Sequence, residues 1–181
     1  MHRSLRIPEI VDLIFAELRT PRQGNEGKDF ATLARTCKAF QDPALNLLWS
    51  EQHTLDNLLR TLPPHLWTEK RHPGFSDNLR LTGPVEPADW EVPLMYALRI
   101  RTLRLWMWTR DADKLPVDIF EAISSGLPRD YLCPNLRIIS WFADEDAIFP
   151  YIRLFLGPKI TDVTITSGAS SISLFPTLAL R

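Results

Sequence analysis

The first fifty residues constrain this chain most, because they carry three short apolar helical stripes in a segment too small to bury them all. Placed at 100° per residue, Ile10, Val11, Leu13, Ile14, Phe15 and Leu18 cover an arc of roughly 200°, about twice that of an ordinary surface helix. Glu9, Asp12 and Ala16 share the remaining side. Pro8 suits a first helical turn, where its missing N–H costs nothing. So wide an arc on a short helix predicts two uses, one side for its own core and the other for a partner.

Residues 21–28 are polar, contain Gly24, Asn25 and Gly27, and read as an exposed loop. Asp29 then caps a second helix whose stripe runs Phe30, Leu33, Cys37 and Phe40. Asp42-Pro43 repeats the start signal and launches a third helix through Ala44-Leu45-Asn46-Leu47-Leu48-Trp49. A fourth is expected from Thr54, with Leu55, Leu58, Leu59 and Leu62 on one face and Pro63-Pro64 as its stop.

The run Leu5-x-Ile7-Pro8-Glu9-Ile10-x-x-x-Ile14-Phe15-x-x-Leu18, then Leu33-Ala34-Arg35-Thr36-Cys37-Lys38-Ala39-Phe40, then Ala44-Leu45 and Leu47-Leu48-Trp49, resembles an F-box. The likeness is to the F-box proteins abundant in basidiomycete fungi and covers about 45 residues. F-boxes form a three-helix module that binds the Skp adaptor of cullin-RING ubiquitin ligases. By position, the resemblance places Ile7, Pro8, Ile10, Ile14, Leu33, Cys37 and Phe40 against that adaptor. Three departures stand out: Ile7-Pro8 replaces the usual Leu-Pro, the loop from Arg19 to Lys28 is long, and Phe40 stands where many families carry Trp. None removes the apolar character that docking needs.

Further along, the pattern apolar-x-x-apolar-x-apolar recurs at Ile100/Leu103/Leu105, Leu136/Ile139/Trp141 and Ile160/Val163/Ile165, with a half-match at Leu79 and Leu81. Its middle positions, 79, 103, 139 and 163, are 24, 36 and 24 residues apart. Leucine-rich repeats take about 20–29 residues each, so the long step implies an insertion around Leu115 to Ser125. Each pattern alternates as a strand does, as in Leu103-Arg104-Leu105 and Val163-Thr164-Ile165. Helix-like stretches lie between, over Trp90 to Leu98, Val117 to Ile123 and Ala147 to Leu156. Strand then helix at a fixed period predicts a parallel-stranded solenoid with a concave binding face.

A doubly wound sheet would want longer apolar strands and a Gly-rich phosphate turn; the chain has seven glycines and no GxGxxG. The segment also resembles the leucine-rich-repeat-like tail that follows many fungal F-boxes, of which Cys133-Pro134-Asn135-Leu136 is typical, although it lacks their internal Asn ladder. The expected fold class is α+β: a three-helix F-box over residues 5–50, a helical linker over 51–74 and a short, irregular α/β solenoid over 75–181. Ser173-Leu174-Phe175-Pro176-Thr177-Leu178-Ala179-Leu180-Arg181 looks like the lead-in before Leu136 with its strand missing. The solenoid is therefore expected to be incomplete, its last turn uncapped.

Little here suggests catalysis. The net charge of -1 gives no basic footprint for nucleic acid or an anionic membrane. The two cysteines, Cys37 and Cys133, lack CxxC spacing, which excludes a disulfide framework or zinc ribbon and suits a reducing compartment. No signal peptide or membrane span is read, so a cytoplasmic or nuclear protein is expected. His2, His53, His65 and His72 stand apart and read as surface residues rather than metal ligands. Asp144-Glu145-Asp146 reads as the acidic start of a helix. With no GxSxG elbow, P-loop or paired catalytic carboxylates, no enzyme and no cofactor are expected.

The expected function is substrate recognition within an SCF-type ubiquitin ligase, with Skp as one partner and an unknown protein target as the other. Trp106, Trp108 and Trp141 are its candidate substrate surface. An adaptor-binding scaffold, or a truncated copy that delivers nothing, is the alternative. A divergent α/β enzyme would instead show a deep polar pocket near residues 79–165.

Overall fold

A computed structural model describes residues 8–17, 26–70, 78–107, 117–143, 146–167 and 170–174. The chain divides into two compact units, Met1–Glu51 and Gln52–Arg181.

The first unit is built from α1 (Pro8–Glu17), α2 (Glu26–Ala34) and α3 (Lys38–Ser50). Val11 and Phe15, four residues apart and so on one side of α1, are buried with Ala44. Leu33, Ala34, Phe40 and Leu47 pack against that cluster. The rings of Phe15 and Phe40 meet edge to face at 5.3 Å, an arrangement the ring quadrupole favours.

Two helix boundaries differ from the sequence reading. Helix α2 starts at Glu26, ahead of the expected cap at Asp29. It also ends earlier, where the N–H groups of Arg35 and Thr36 bond to Thr32 O and Leu33 O and the Thr36 hydroxyl donates to Leu33 O at 2.9 Å. Cys37 is then extended (φ -159°, ψ 161°) and precedes the first residue of α3. Cys37 and Phe40 therefore do not continue the α2 stripe, and Pro43 lies inside α3 rather than at its start. Starting α3 at Lys38 brings Phe40 onto Phe15. That packing outweighs one backbone N–H missing near the helix start, as tertiary burial commonly outweighs local signals.

In the second unit, α4 (Asp56–Leu59) is a single turn around which Leu55, Leu58, Leu59 and Leu62 are all buried, the stripe read from sequence. After a 3₁₀ turn over Pro64–Leu66, β2 (Trp67–Lys70) pairs antiparallel with β3 (Asn78–Leu81). Thr82 fastens this ribbon, its N–H bonding Leu66 O and its hydroxyl bonding His65 O. The expected linker over 51–74 is thus, where described, part of the second unit's core. The half-match at Leu79 and Leu81 belongs to a separate two-stranded sheet rather than to the main one.

The main sheet has the order β1-β4-β5-β6-β7, with β1 at Glu51–Gln52, β4 at Thr102–Met107, β5 at Ile138–Ala143, β6 at Asp162–Ser167 and β7 at Ser170–Leu174. Strands β4, β5 and β6 run parallel. Before or between them stand α5 (Glu91–Ala97), α6 (Val117–Gly126) and a 3₁₀ helix over Asp146–Leu154. Pro150 lies inside that last element; without its N–H a regular α-helix loses a rung, which accounts for the tighter helix where Ala147 to Leu156 was expected.

Register aligns the periodic positions read from sequence. Leu103 faces Ile139, which faces Val163, and Leu105 faces Trp141, which faces Ile165. The turns before the strands also correspond. Ile100, Leu136 and Ile160 donate to Ala97 O, Cys133 O and Gly157 O at 3.2, 3.0 and 3.2 Å. Ala97, Cys133 and Gly157 are small and buried, so each turn can close over the same packed floor. Arg101 O accepts from the N–H groups of Arg137 and Ile138, and Arg137 O accepts in the same way from Thr161 and Asp162. Asn135 bridges two neighbouring turns: its amide donates to Leu98 O at 2.9 Å and its Oδ1 accepts from Lys159 Nζ at 2.7 Å.

The last described element corrects an expectation. Ser170–Leu174 forms β7, antiparallel to β6, where part of a strandless lead-in was expected. Alternation in Ser171-Ile172-Ser173-Leu174 has strand period, and Leu174 and Ile172 sit opposite Val163 and Ile165. Residues 175–181 lie outside the described residues. The result is a mixed α/β chain with a helical first unit and a parallel-stranded second one.

Candidate partner-binding surfaces

With Val11 and Phe15 inside, helical geometry turns Ile10, Leu13 and Ile14 another way. Leu13 is 68% exposed, Ile14 41% exposed and Ile10 half-buried. Glu9 and Glu17 are also exposed, so the open apolar face is bounded by charge. Of the other residues that the F-box resemblance assigned to an adaptor, Leu33 and Phe40 are half-buried and partly committed to the unit's own core. Cys37 is half-buried between α2 and α3. Pro8 is described only as the first residue of α1, and Ile7 lies outside the described residues. Leu13 is the residue that sequence reasoning left out of the set. Its signal was present in the wide arc, but an unbroken arc does not say which edge faces inward until Phe40 is known to meet Phe15.

The main sheet has one covered and one open face. Leu103, Leu105, Ile139, Trp141 and Val163 are buried on the covered side. Trp141 was expected on a substrate surface and is instead a core residue, 1% exposed. Its ring lies 5.8 Å from those of both Phe120 and Phe155. The reason is strand parity: Trp141 is two residues from Ile139 and so shares its face.

Alternate positions carry the open face: Arg104 and Trp106 on β4, Ile138, Ser140 and Phe142 on β5, and Asp162, Thr164 and Thr166 on β6. Trp106 is 57% exposed and stacks on Phe142, its register partner, with ring centroids 4.1 Å apart and planes at 17°. The stack holds an aromatic plate against the sheet while leaving much of the indole in water. Trp108 lies outside the described residues.

Reactive groups give less. Burial pushes the Cys133 thiol up to about 12, so at neutral pH it is held in the protonated, weakly nucleophilic form. His53 and His65 are exposed, whereas His2, His72, Asp144 and Glu145 lie outside the described residues. No group of three or more His, Cys, Asp or Glu able to hold a metal occurs among the described residues. An open cleft of about 570 Å³ is bordered by Ser124, Leu127, Pro128, Arg129, Asp130, Tyr131, Arg153 and Leu154. Among the described residues no helix is long and apolar enough to cross a membrane. Comparisons with protein-family models, with curated proteins and with solved structures found no match to this chain.

Proposed function

We propose that this chain is a substrate-recognition subunit of an SCF-type cullin-RING ubiquitin ligase. In this reading the first unit is an F-box that packs against a Skp adaptor through the exposed side of α1. The second is a short leucine-rich-repeat-like solenoid whose open sheet face, with the Trp106–Phe142 stack, holds a protein target. The observation that carries the reading is the division of α1, with Val11 and Phe15 in its own core and Leu13 and Ile14 left to water. An exposed apolar stripe bounded by charge fits a helix-in-groove contact. Tethering the target beside the ligase would raise the effective concentration of its lysines, with no residue of this chain taking part in transfer.

Co-expression with a Skp adaptor and a pull-down test the first half. Wild type is captured, and Leu13→Asp or Ile14→Asp loses capture while keeping its helical content, because each puts an unpaired carboxylate into an apolar contact. Leu33→Asp is the less informative variant, since Leu33 also supports the core. Folded wild type that fails to bind would remove the F-box reading. Capture without cullin-dependent turnover of any bound protein would favour an adaptor-binding scaffold, or a copy that no longer delivers substrates.

A further inference from the structure

Between the segment after α6 and the 3₁₀ helix of Asp146–Leu154 lies the open cleft of about 570 Å³, a size that suits a small organic group. Its lining includes two arginines from different elements, Arg129 and Arg153. The Nη2 of Arg153 donates to Ser124 Oγ at 3.0 Å, which orients the fork and leaves its remaining donors without a partner among the described residues. Arg129 has no hydrogen-bond or ion-pair partner among the described residues. Asp130 borders the same cleft yet pairs with neither arginine. The cleft is anchored, because Leu132 N donates to Leu154 O at 2.8 Å and so ties one wall to the other. Leu154 is buried, and Tyr131 and Leu127 are half-buried, giving the cleft an apolar side.

Two forked cations beside an apolar wall match a dianion attached to an apolar body better than a bare ion or a neutral ligand. We infer that this cleft binds a phosphomonoester carried on an apolar or aromatic group. The forks of Arg129 and Arg153 take the phosphoryl oxygens, and Tyr131, Leu127 and Leu154 take the body. Asp130 opposes the dianion and sets a ceiling on affinity.

Calorimetric titration of the full chain with phenyl phosphate, with phenol and inorganic phosphate for comparison, tests this. Phenyl phosphate binds more tightly than either of the others. Arg129→Gln and Arg153→Gln each weaken it by about tenfold or more, the size of a lost charge-assisted hydrogen bond. Both arginines are exposed, so the fold persists in these variants, as circular dichroism would record. Asp130→Asn tightens binding severalfold, a gain that a misfolded protein cannot produce. Absence of binding, or an affinity unchanged by both arginine substitutions, overturns the assignment, as does equal affinity for phenyl phosphate and inorganic phosphate. A phosphotyrosine peptide that binds more tightly than phenyl phosphate identifies a modified protein side chain as the source. The reverse order identifies a free small molecule.

Discussion

Two residues show how packing and polar satisfaction compete in the second unit. Trp141 is enclosed by Phe120 and Phe155, and its indole N–H has no hydrogen-bond partner among the described residues. An unsatisfied buried donor costs about 1–3 kcal/mol, so part of what this large ring contributes by burial is lost. Trp141→Phe removes the orphan donor and some volume together, and is expected to unfold within about 1 kcal/mol of wild type. Trp141→Ala, which empties the site, costs about 3–5 kcal/mol. Urea midpoints at unchanged slope measure both, and a phenylalanine variant as unstable as the alanine one would show that the site requires the whole indole and that the orphan donor costs little. Gly126 ends α6 where a Cβ would come within 2.2 Å of Val85 O and 3.1 Å of Trp90 Nε1. Alanine is the better helix former by about 1 kcal/mol, but the clash is with backbone and cannot be relieved by a rotamer. Gly126→Ala is therefore expected to destabilise by about 1–3 kcal/mol. A more stable variant would mean that the segment carrying Val85 moves aside freely. The positions of Leu103, Ile139 and Val163 were legible from apolar spacing; the burial of Trp141 was legible from the same parity, and only its aromatic character drew it towards a binding role.

At the scale of elements, the strands were easier to read than the helices. A strand's period of two leaves no choice once one buried residue is known, and β4, β5 and β6 fall where their patterns recur. Helix limits depended on what Phe40 touches, which the local signals at Asp29 and Asp42-Pro43 do not encode. The same competition makes Pro43 a testable fault in α3. Its ring removes the N–H that would bond Ala39 O, and an interior proline costs roughly 3 kcal/mol in an ordinary helix. Pro43 is half-buried rather than sealed in the core, so Pro43→Ala restores the bond with little loss of packing. The variant is expected to gain about 1–3 kcal/mol in thermal or urea unfolding. No gain would mean that the first unit depends on a kink at this point. The candidate adaptor face shows the same limit: the width of the α1 arc announced a two-sided helix, but assigning Leu13 outward required the opposite helix.

At the scale of the whole molecule, the division at Glu51 and Gln52 makes a claim about folding. The residues expected to link two domains instead supply Leu55, Leu58, Leu59 and Leu62, all at or below 2% exposure, to the second unit's core. A fragment beginning at Gln52 therefore keeps its four leucines and the full parallel sheet, losing only Glu51 from β1. A fragment beginning at residue 75, the start expected from the repeat pattern, lacks that leucine cluster and strand β2, so β3 has no partner. Each buried leucine contributes about 1.5–3 kcal/mol, so four together are comparable with the whole margin of about 5–15 kcal/mol by which a domain is stable. The fragment from 52 to 181 is thus expected to unfold in one cooperative urea transition. Its tryptophan emission, to which the buried Trp90 and Trp141 contribute and the excluded Trp49 does not, shifts to the red in the same step as helical ellipticity is lost. The fragment from 75 to 181 shows red-shifted emission without denaturant. If both fragments fold equally well, residues 52–74 are a dispensable linker; if neither folds, the break at Glu51 separates two packed cores that still depend on one continuous chain.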